Sequence, residues 1–280
     1  MGSSTSRSTP ELLKPGLWRL RAPNAGPMTG LGTNTYLLGD PITAVLDPGP
    51  LDATHCDALC AFAPRLRYVF ITHTHGDHSP LARPLAAATG AQLIGRPPPA
   101  DGRQDLTAAG AREPGDGERF DLGSVSLTTV YTPGHASNHV CYLLDPGAVL
   151  LSGDHVLDGV TPVILPPDGD LQDYLASLRR LLALPLQHIG PGHGGLIPEP
   201  HRVIEGVIAH RLKREQKVRA VLQRLGAGSM DQLLAPIYDD VPPAMHVWAR
   251  LTLEAHLIKL QRDGECMRDG AIWRYRAPIS

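Results

Sequence analysis

Tyr68-Val69-Phe70-Ile71 runs directly into Thr72-His73-Thr74-His75-Gly76-Asp77-His78, and this stretch decides the reading of the whole chain. The first four residues are β-branched or aromatic, the composition of a buried strand, so the three imidazoles and the carboxylate fall on the turn at its C-terminal end. Imidazole suits zinc or iron, and a neighbouring aspartate oxygen can bind a second ion or steer a water, so the spacing predicts a metal site. Downstream, Val125 to Tyr131 is strand-like and leads into Thr132-Pro133-Gly134-His135. Ala148-Val149-Leu150-Leu151 leads into Ser152-Gly153-Asp154, and Gln187-His188-Ile189 into Pro191-Gly192-His193. Four strand ends therefore each deliver His or Asp, three of them beside a glycine that lets the backbone turn sharply.

On these residues the chain resembles the metallo-β-lactamase-fold hydrolases, whose five ordered motifs are matched by Asp47 in Leu46-Asp47-Pro48-Gly49, the His73 to His78 cluster, His135, Asp154 and His193. The resemblance covers the first 200 residues. It implies an α/β fold, the αββα sandwich, with two zinc ions per chain, iron or manganese being the alternatives. One ion would be held by His73, His75 and His135, the other by Asp77, His78 and His193, with Asp154 bridging them. Asp47 would support the ligand loops, Asp77 would orient a bridging hydroxide, and His139 and His155 are further candidates for contacts with ligands or substrate. Relatives that bind metal through a thiolate have Cys where this chain has Asp154, so broad β-lactam resistance is not expected.

Asn24 to Gly39 is similar to the opening hairpin of the lactamase-beta-2-like branch, and His210-Arg211 with Arg214-Glu215 resembles its linker helix. That likeness implies a C-terminal winged-helix domain. The expected organisation is a polar tail over 1–10, a catalytic domain over 11–200, a linker helix over 201–225 and a winged helix over 226–280. Within the last, helices are expected over Met230 to Tyr238 and Ala244 to Arg262, then a hairpin from Glu265 to Tyr275 turning at Asp269-Gly270. Val247, Leu251, Leu253, Leu257, Ile258 and Leu260 are spaced to face a core, and His246 and His256 read as packing residues.

Composition narrows the function classes. The 280 residues suffice for two units. No apolar run reaches 18 residues and the N-terminus lacks a secretory h-region, so a cytoplasmic protein with no membrane association is expected. Cys56, Cys60, Cys141 and Cys266 show no Cys-x-x-Cys spacing and read as reduced, buried thiols. Arg96 to Gly117 is rich in Pro and Gly and reads as a surface loop. The net charge is −2, yet residues 201–280 hold 13 of the 26 basic and 9 of the 28 acidic side chains. The basic helix carrying Arg211, Lys213, Arg214, Lys217, Arg219 and Arg224 reads as a solvated face, and Arg211 is a candidate substrate contact.

The expected activity is hydrolysis of an ester, thioester or related acyl bond in a small-molecule substrate. The alternative implied by the closest branch is a single-strand-specific endoribonuclease with RNA as partner. Behind these stand a mononuclear iron sulfur dioxygenase and a non-enzymatic DNA-binding sensor. A homodimer is the expected assembly.

Overall fold

The computed structural model describes residues 9–277; residues 1–8 of the expected polar tail lie outside the described residues. The chain divides into two compact units that do not follow it linearly. Among the described residues, one comprises 9–132 with Asn138–Val160 and Pro185–Pro200; the other comprises Pro133–Ser137, Thr161–Leu184 and 201–277.

The first unit is built on two sheets. Six strands pair in sequence order in one: β1 (Glu11–Lys14), β2 (Leu17–Arg21), β3 (Asn34–Leu38), β4 (Ala44–Leu46), β5 (Tyr68–Phe70) and β6 (Gln92–Ile94). The first four are antiparallel neighbours, whereas β4, β5 and β6 run parallel and are linked by helices α1 (Ala53–Phe62) and α2 (Ala82–Thr89). Asp52 starts α1 by accepting the His55 amide, and Gly90, at φ 72°, ends α2. The second sheet has the order β11-β10-β9-β8-β7, with β7 Arg119–Asp121, β8 Ser126–Tyr131, β9 Val140–Asp145, β10 Val149–Gly153 and β11 His188–Pro191.

Period-2 alternation sorts the first sheet's side chains into two cores. Tyr36, Leu38, Ala44, Leu46 and Phe70 point toward Phe120, Leu127, Tyr142 and Leu151 of the second sheet. The intervening Leu37, Val45 and Val69 face Leu59, Leu81 and Leu85, on and beside the two helices. Phe70 is central to the inner layer, edge-on to Phe120 at 4.9 Å and to Tyr142 at 5.3 Å. Arg96 to Gly117 carries no helix or strand, as its composition predicts.

The second unit contains α3 (Leu171–Leu182), the long helix α4 (Pro200–Leu225), and then β12 (Ala227–Ser229), α5 (Met230–Ile237), α6 (His246–Arg262), β13 (Cys266–Asp269) and β14 (Ile272–Tyr275). The last three strands form one sheet with β14 in the centre, and Ser229 with Gln232 closes a capping box at the start of α5. Val218, Leu222, Leu233, Leu253, Leu257 and Trp273 make its core. This is the winged helix expected from the sequence, and His256 is buried within it as expected.

Three expectations need correcting. Val247 is 69% exposed, because Pro243–Met245 forms a separate 3-10 turn and the apolar face of α6 begins only at Ala249. Cys56 and Cys60 are half-buried, while Cys141 and Cys266 are buried; all four are free thiols. The basic helix is a solvated face only in part: Lys213 and Arg224 are exposed, but Arg211 and Arg214 are buried, and Arg214, Lys217 and Arg219 pair with Asp240, Asp239 and Glu265. Among the described residues no helix is long and apolar enough to cross a membrane.

Phe70→Ala, which empties a ring-sized volume between the sheets, is expected to destabilise the protein by about 3–5 kcal/mol, read as a lowered urea midpoint.

Candidate metal centre

Asp47 organises the site. It follows β4, is buried, and adopts φ 50°, a left-handed conformation uncommon for a residue other than glycine. That turn aims its carboxylate at the Thr72 to His78 loop. Oδ1 accepts the Thr72 amide at 2.7 Å, and Oδ2 accepts both the Thr72 hydroxyl at 2.8 Å and His78 Nδ1 at 2.9 Å.

Two histidine tautomers follow. With the Nδ1 proton of His78 given to Asp47, Nε2 is the atom presented to the site. The Thr72 hydroxyl has spent its proton on Asp47, so at 2.9 Å it accepts from His73 Nδ1, and His73 likewise presents Nε2. His73 Nε2 lies 2.9 Å from His75 Nδ1. Thr74, between the two ligand-type histidines, accepts from Asn138 at 2.7 Å and donates to Gln104 at 2.5 Å, which fixes the loop from its other side.

Asp77, His78, Asp154 and His193 converge, each offering one ligand-type atom within 4.8 Å of the others. His78 Nε2 is 3.5 Å from Asp77 Oδ2 and 3.3 Å from Asp154 Oδ1; His193 Nε2 is 3.1 Å and 3.4 Å from the same oxygens. Gly192 makes the approach of Asp154 feasible, since a β-carbon there would stand 2.4 Å from Asp154 Oδ1 and 2.8 Å from His78 Cε1. The His193 turn is tied to β3: Asn34 Nδ2 donates to Pro191 O at 2.9 Å and Tyr36 Oη donates to the same oxygen at 2.8 Å.

The electrostatics are those of a cation site. Burial alone would depress His78, yet Asp77, Asp154 and Asp47 hold it well above the ordinary imidazole value. Against the same desolvation, Asp154 and Asp77 hold His193 up at about 9. Burial would raise both aspartates, but His78 and His193 keep Asp154 well below the usual carboxylate range and Asp77 at about 2. His78 Nε2 is buried, makes no hydrogen bond and faces two carboxylates, a position that only a proton or a metal cation stabilises. The donor set of two imidazoles and two carboxylates fits a divalent transition metal.

His135 lies on the Pro133–Ser137 segment of the second unit, where its Nδ1 donates to Val163 O at 2.8 Å; Nε2 is the nitrogen it presents. His139 and His155 are both buried. The His139 ring lies 5.1 Å from that of His73, with Nδ1 3.0 Å from Thr132 Oγ1, so it packs behind a ligand-type residue. Arg211 is 3% exposed, with its guanidinium donating to Pro162 O and lying over the Tyr174 ring. Sequence reasoning passed over Thr72, Asn34, Tyr36, Gln104 and Asn138 as individual contributors. None carries a signal of its own, because their roles depend on which backbone atoms the fold brings to them.

Residues 28–193 match the family model described as Metallo-beta-lactamase superfamily, and residues 229–273 match the Beta-lactamase associated winged helix domain. The chain belongs to the metallo-beta-lactamase superfamily. It is 30% identical over 94% of its length to the Beta-lactamase-like protein 2 homolog of Caenorhabditis elegans, 90% of which is covered. It is also 30% identical to the Atrochrysone carboxyl ACP thioesterase of Aspergillus fumigatus, over 85% of this chain and 79% of that one. Among solved structures, a Beta-lactamase domain protein from Burkholderia ambifaria superposes with a TM-score of 0.80 at 21% identity, covering 98% of this chain and 95% of that one. As a member of this superfamily with a histidine–aspartate cluster at its strand ends, the chain is a metal-dependent hydrolase.

The raised pKa of His193 has a consequence for the metal-free protein. Its ion pairs contribute fully below the ordinary imidazole value of about 6.5, and that contribution is lost as pH rises through about 9. The lowered pKa of Asp77 works in the opposite direction, with a contribution present above the ordinary 3.8 and lost as pH falls through about 2. Metal-stripped protein is therefore expected to lose thermal stability between pH 6.5 and 9, and His193→Gln should flatten that decline. A midpoint that is level across the same range in the parent protein would contradict the pairing.

Proposed function

We propose that the chain is a dinuclear hydrolase of acyl bonds, thioesters foremost, in a small-molecule or carrier-linked substrate. The observation that carries the metal-dependent part is the convergence of His78, His193, Asp77 and Asp154, in which a buried imidazole nitrogen faces two carboxylates. In this reading His73, His75 and His135 would hold one ion, as the family resemblance implies, and Asp77, His78 and His193 would hold the other together with Asp154. Zinc is the proposed metal. A pair of divalent ions acidifies water toward neutral pH and polarises an acyl carbonyl.

The chain's own residues do the rest. Asp77 is 28% exposed against 13% for Asp154, which makes it the carboxylate open to the substrate side. It would accept a hydrogen bond from the attacking water, orient it and take up its proton. Asp47 keeps His73 and His78 in single tautomers, so the ligand set stays ordered through turnover. The thioester preference is supported by the name of the Aspergillus fumigatus relative and by that of a second relative, Thioesterase pkgB from Emericella nidulans, 32% identical over 71% of this chain. RNA cleavage is less well supported, because Arg214, Lys217 and Arg219 of the basic helix are already paired with carboxylates of the chain.

The test is a panel of acyl-pantetheine thioesters, with thiol release followed by a chromogenic disulfide, run beside an end-labelled unstructured RNA. Zinc-loaded protein is expected to hydrolyse at least one thioester, and Asp154→Ala to lower that rate by more than about 100-fold. RNA cleavage without thioester turnover would overturn the acyl reading.

A further inference from the structure

Arg211 is a fully buried cation, and among the described residues no carboxylate pairs with it. Taking a guanidinium out of water is unfavourable unless its donors are well used. Burial lowers its pKa, opposed by Tyr174 and Tyr238. Its surroundings show what the charge is used for. From α4 it donates to Pro162 O, and its guanidinium carbon lies 5.6 Å from the centre of the Tyr174 ring on α3.

Both contacts lead to His135. Val163, the residue after Pro162, supplies the carbonyl that accepts from His135 Nδ1 at 2.8 Å. Tyr174 is the residue against which the His135 segment is folded, since a β-carbon on Gly134 would stand 2.3 Å from Tyr174 Cα and 2.4 Å from its amide nitrogen. Asp170 N donates to Gly134 O at 2.8 Å and Ser177 Oγ donates to Pro133 O at 2.8 Å, so α3 holds the segment along one side. The Pro162–Val163 segment holds the imidazole through the Val163 carbonyl, and the chain turns back after it with Gly169 N donating to Leu165 O at 2.8 Å. Arg211 touches both supports from a helix that belongs to neither.

We propose that Arg211 is a positioning residue for His135, fixing the Pro162–Val163 peptide and the Tyr174 ring so that the imidazole keeps one tautomer and one direction. This rests on the proposed role of His135 as a metal ligand. The planar guanidinium suits the task because it stacks on an aromatic ring while donating in its own plane to a carbonyl; an ammonium group does only the second. The charge-assisted hydrogen bond from Arg211 holds the Pro162 carbonyl more tightly than a neutral donor would, and so steadies the adjoining Val163 carbonyl that accepts from His135. The same arrangement gives the linker helix a function in the metal centre in place of a contact with substrate.

The experiment compares Arg211→Lys with Arg214→Lys in the full chain. Arg214 is the control because it is a buried cation on the same helix whose hydrogen bonds go elsewhere, to Ile237 O and Asp240. Zinc stoichiometry is read by elemental analysis after dialysis against graded free zinc. His135 Nδ1–H is read by NMR of 15N-histidine-labelled, zinc-loaded protein, assigned with His135→Gln. Arg211→Lys is expected to weaken one of the two ions by about 10–100-fold and to broaden the His135 Nδ1–H signal, with Arg214→Lys leaving both as in the parent. The proposal is overturned by an Arg211→Lys variant with parental zinc affinity and an unchanged signal, and equally by Arg214→Lys reproducing the effect, which would make it a general loss of packing. Parent protein that takes up no zinc would instead overturn the functional reading beneath it.

Discussion

The carboxylate of Asp47 is the constraint on which the rest of the site depends. A single buried side chain accepts three hydrogen bonds, from the Thr72 amide, the Thr72 hydroxyl and His78, and so sets the path of the ligand loop and the protonation pattern of two imidazoles together. It reaches them only because the backbone at residue 47 turns into the left-handed region, an unfavourable conformation for aspartate offset by those three bonds. The backbone is braced from below: Thr35 donates to Asp47 O at 2.9 Å, and the same hydroxyl lies 3.0 Å from His55 Nε2. Desolvation and mutual attraction then act on a prearranged set, in which two imidazoles and two carboxylates hold one another ionised.

The two units divide the work along lines that the order of residues conceals. The first unit supplies Asp47, the Thr72 to His78 loop, Asp154 and His193, all at the ends of strands whose inner faces share one apolar layer. A rigid layer of Phe70, Phe120 and Tyr142 beneath them keeps those strand ends in register. The second unit contains His135 together with α3, the linker helix and the winged helix. Its charges are largely satisfied internally, with Arg262 pairing with Asp170 at the start of α3, Arg219 with Glu265, and Lys259 with Glu215 and Asp263. Of the cations on the helix that looks basic in sequence, Arg214, Lys217 and Arg219 are thus committed to carboxylates of the chain, which leaves fewer of them free to draw phosphates.

Much was legible in the sequence. The strand ahead of His73 is visible in its branched and aromatic residues, and the alternation of Tyr36, Leu37 and Leu38 or of Ala44, Val45 and Leu46 is enough to divide two cores. The ligand-type residues announce themselves because imidazole and carboxylate are rare together at the ends of apolar runs, and Asp269-Gly270 marks the turn of the last hairpin. Less legible were properties that depend on what lies opposite. Val247 fits a helical apolar pattern but precedes the buried part of α6, and Arg211 looks like a surface cation until Pro162 and Tyr174 are brought to it.

By itself the sequence determined the superfamily, the identity of the metal-type residues and the presence of a winged helix, since each follows from residue chemistry at short spacing. Tertiary structure alone decided which backbone atoms meet those residues: that Asp47 serves two histidines at once, that Gly192 leaves room for Asp154, and that His135 is held by Val163. The physical reason is range. Composition and periodicity report interactions between neighbours in the chain, whereas hydrogen bonds that fix a tautomer join residues 25 to 31 positions apart, as from Asp47 to Thr72 and His78, and only the folded backbone sets those distances.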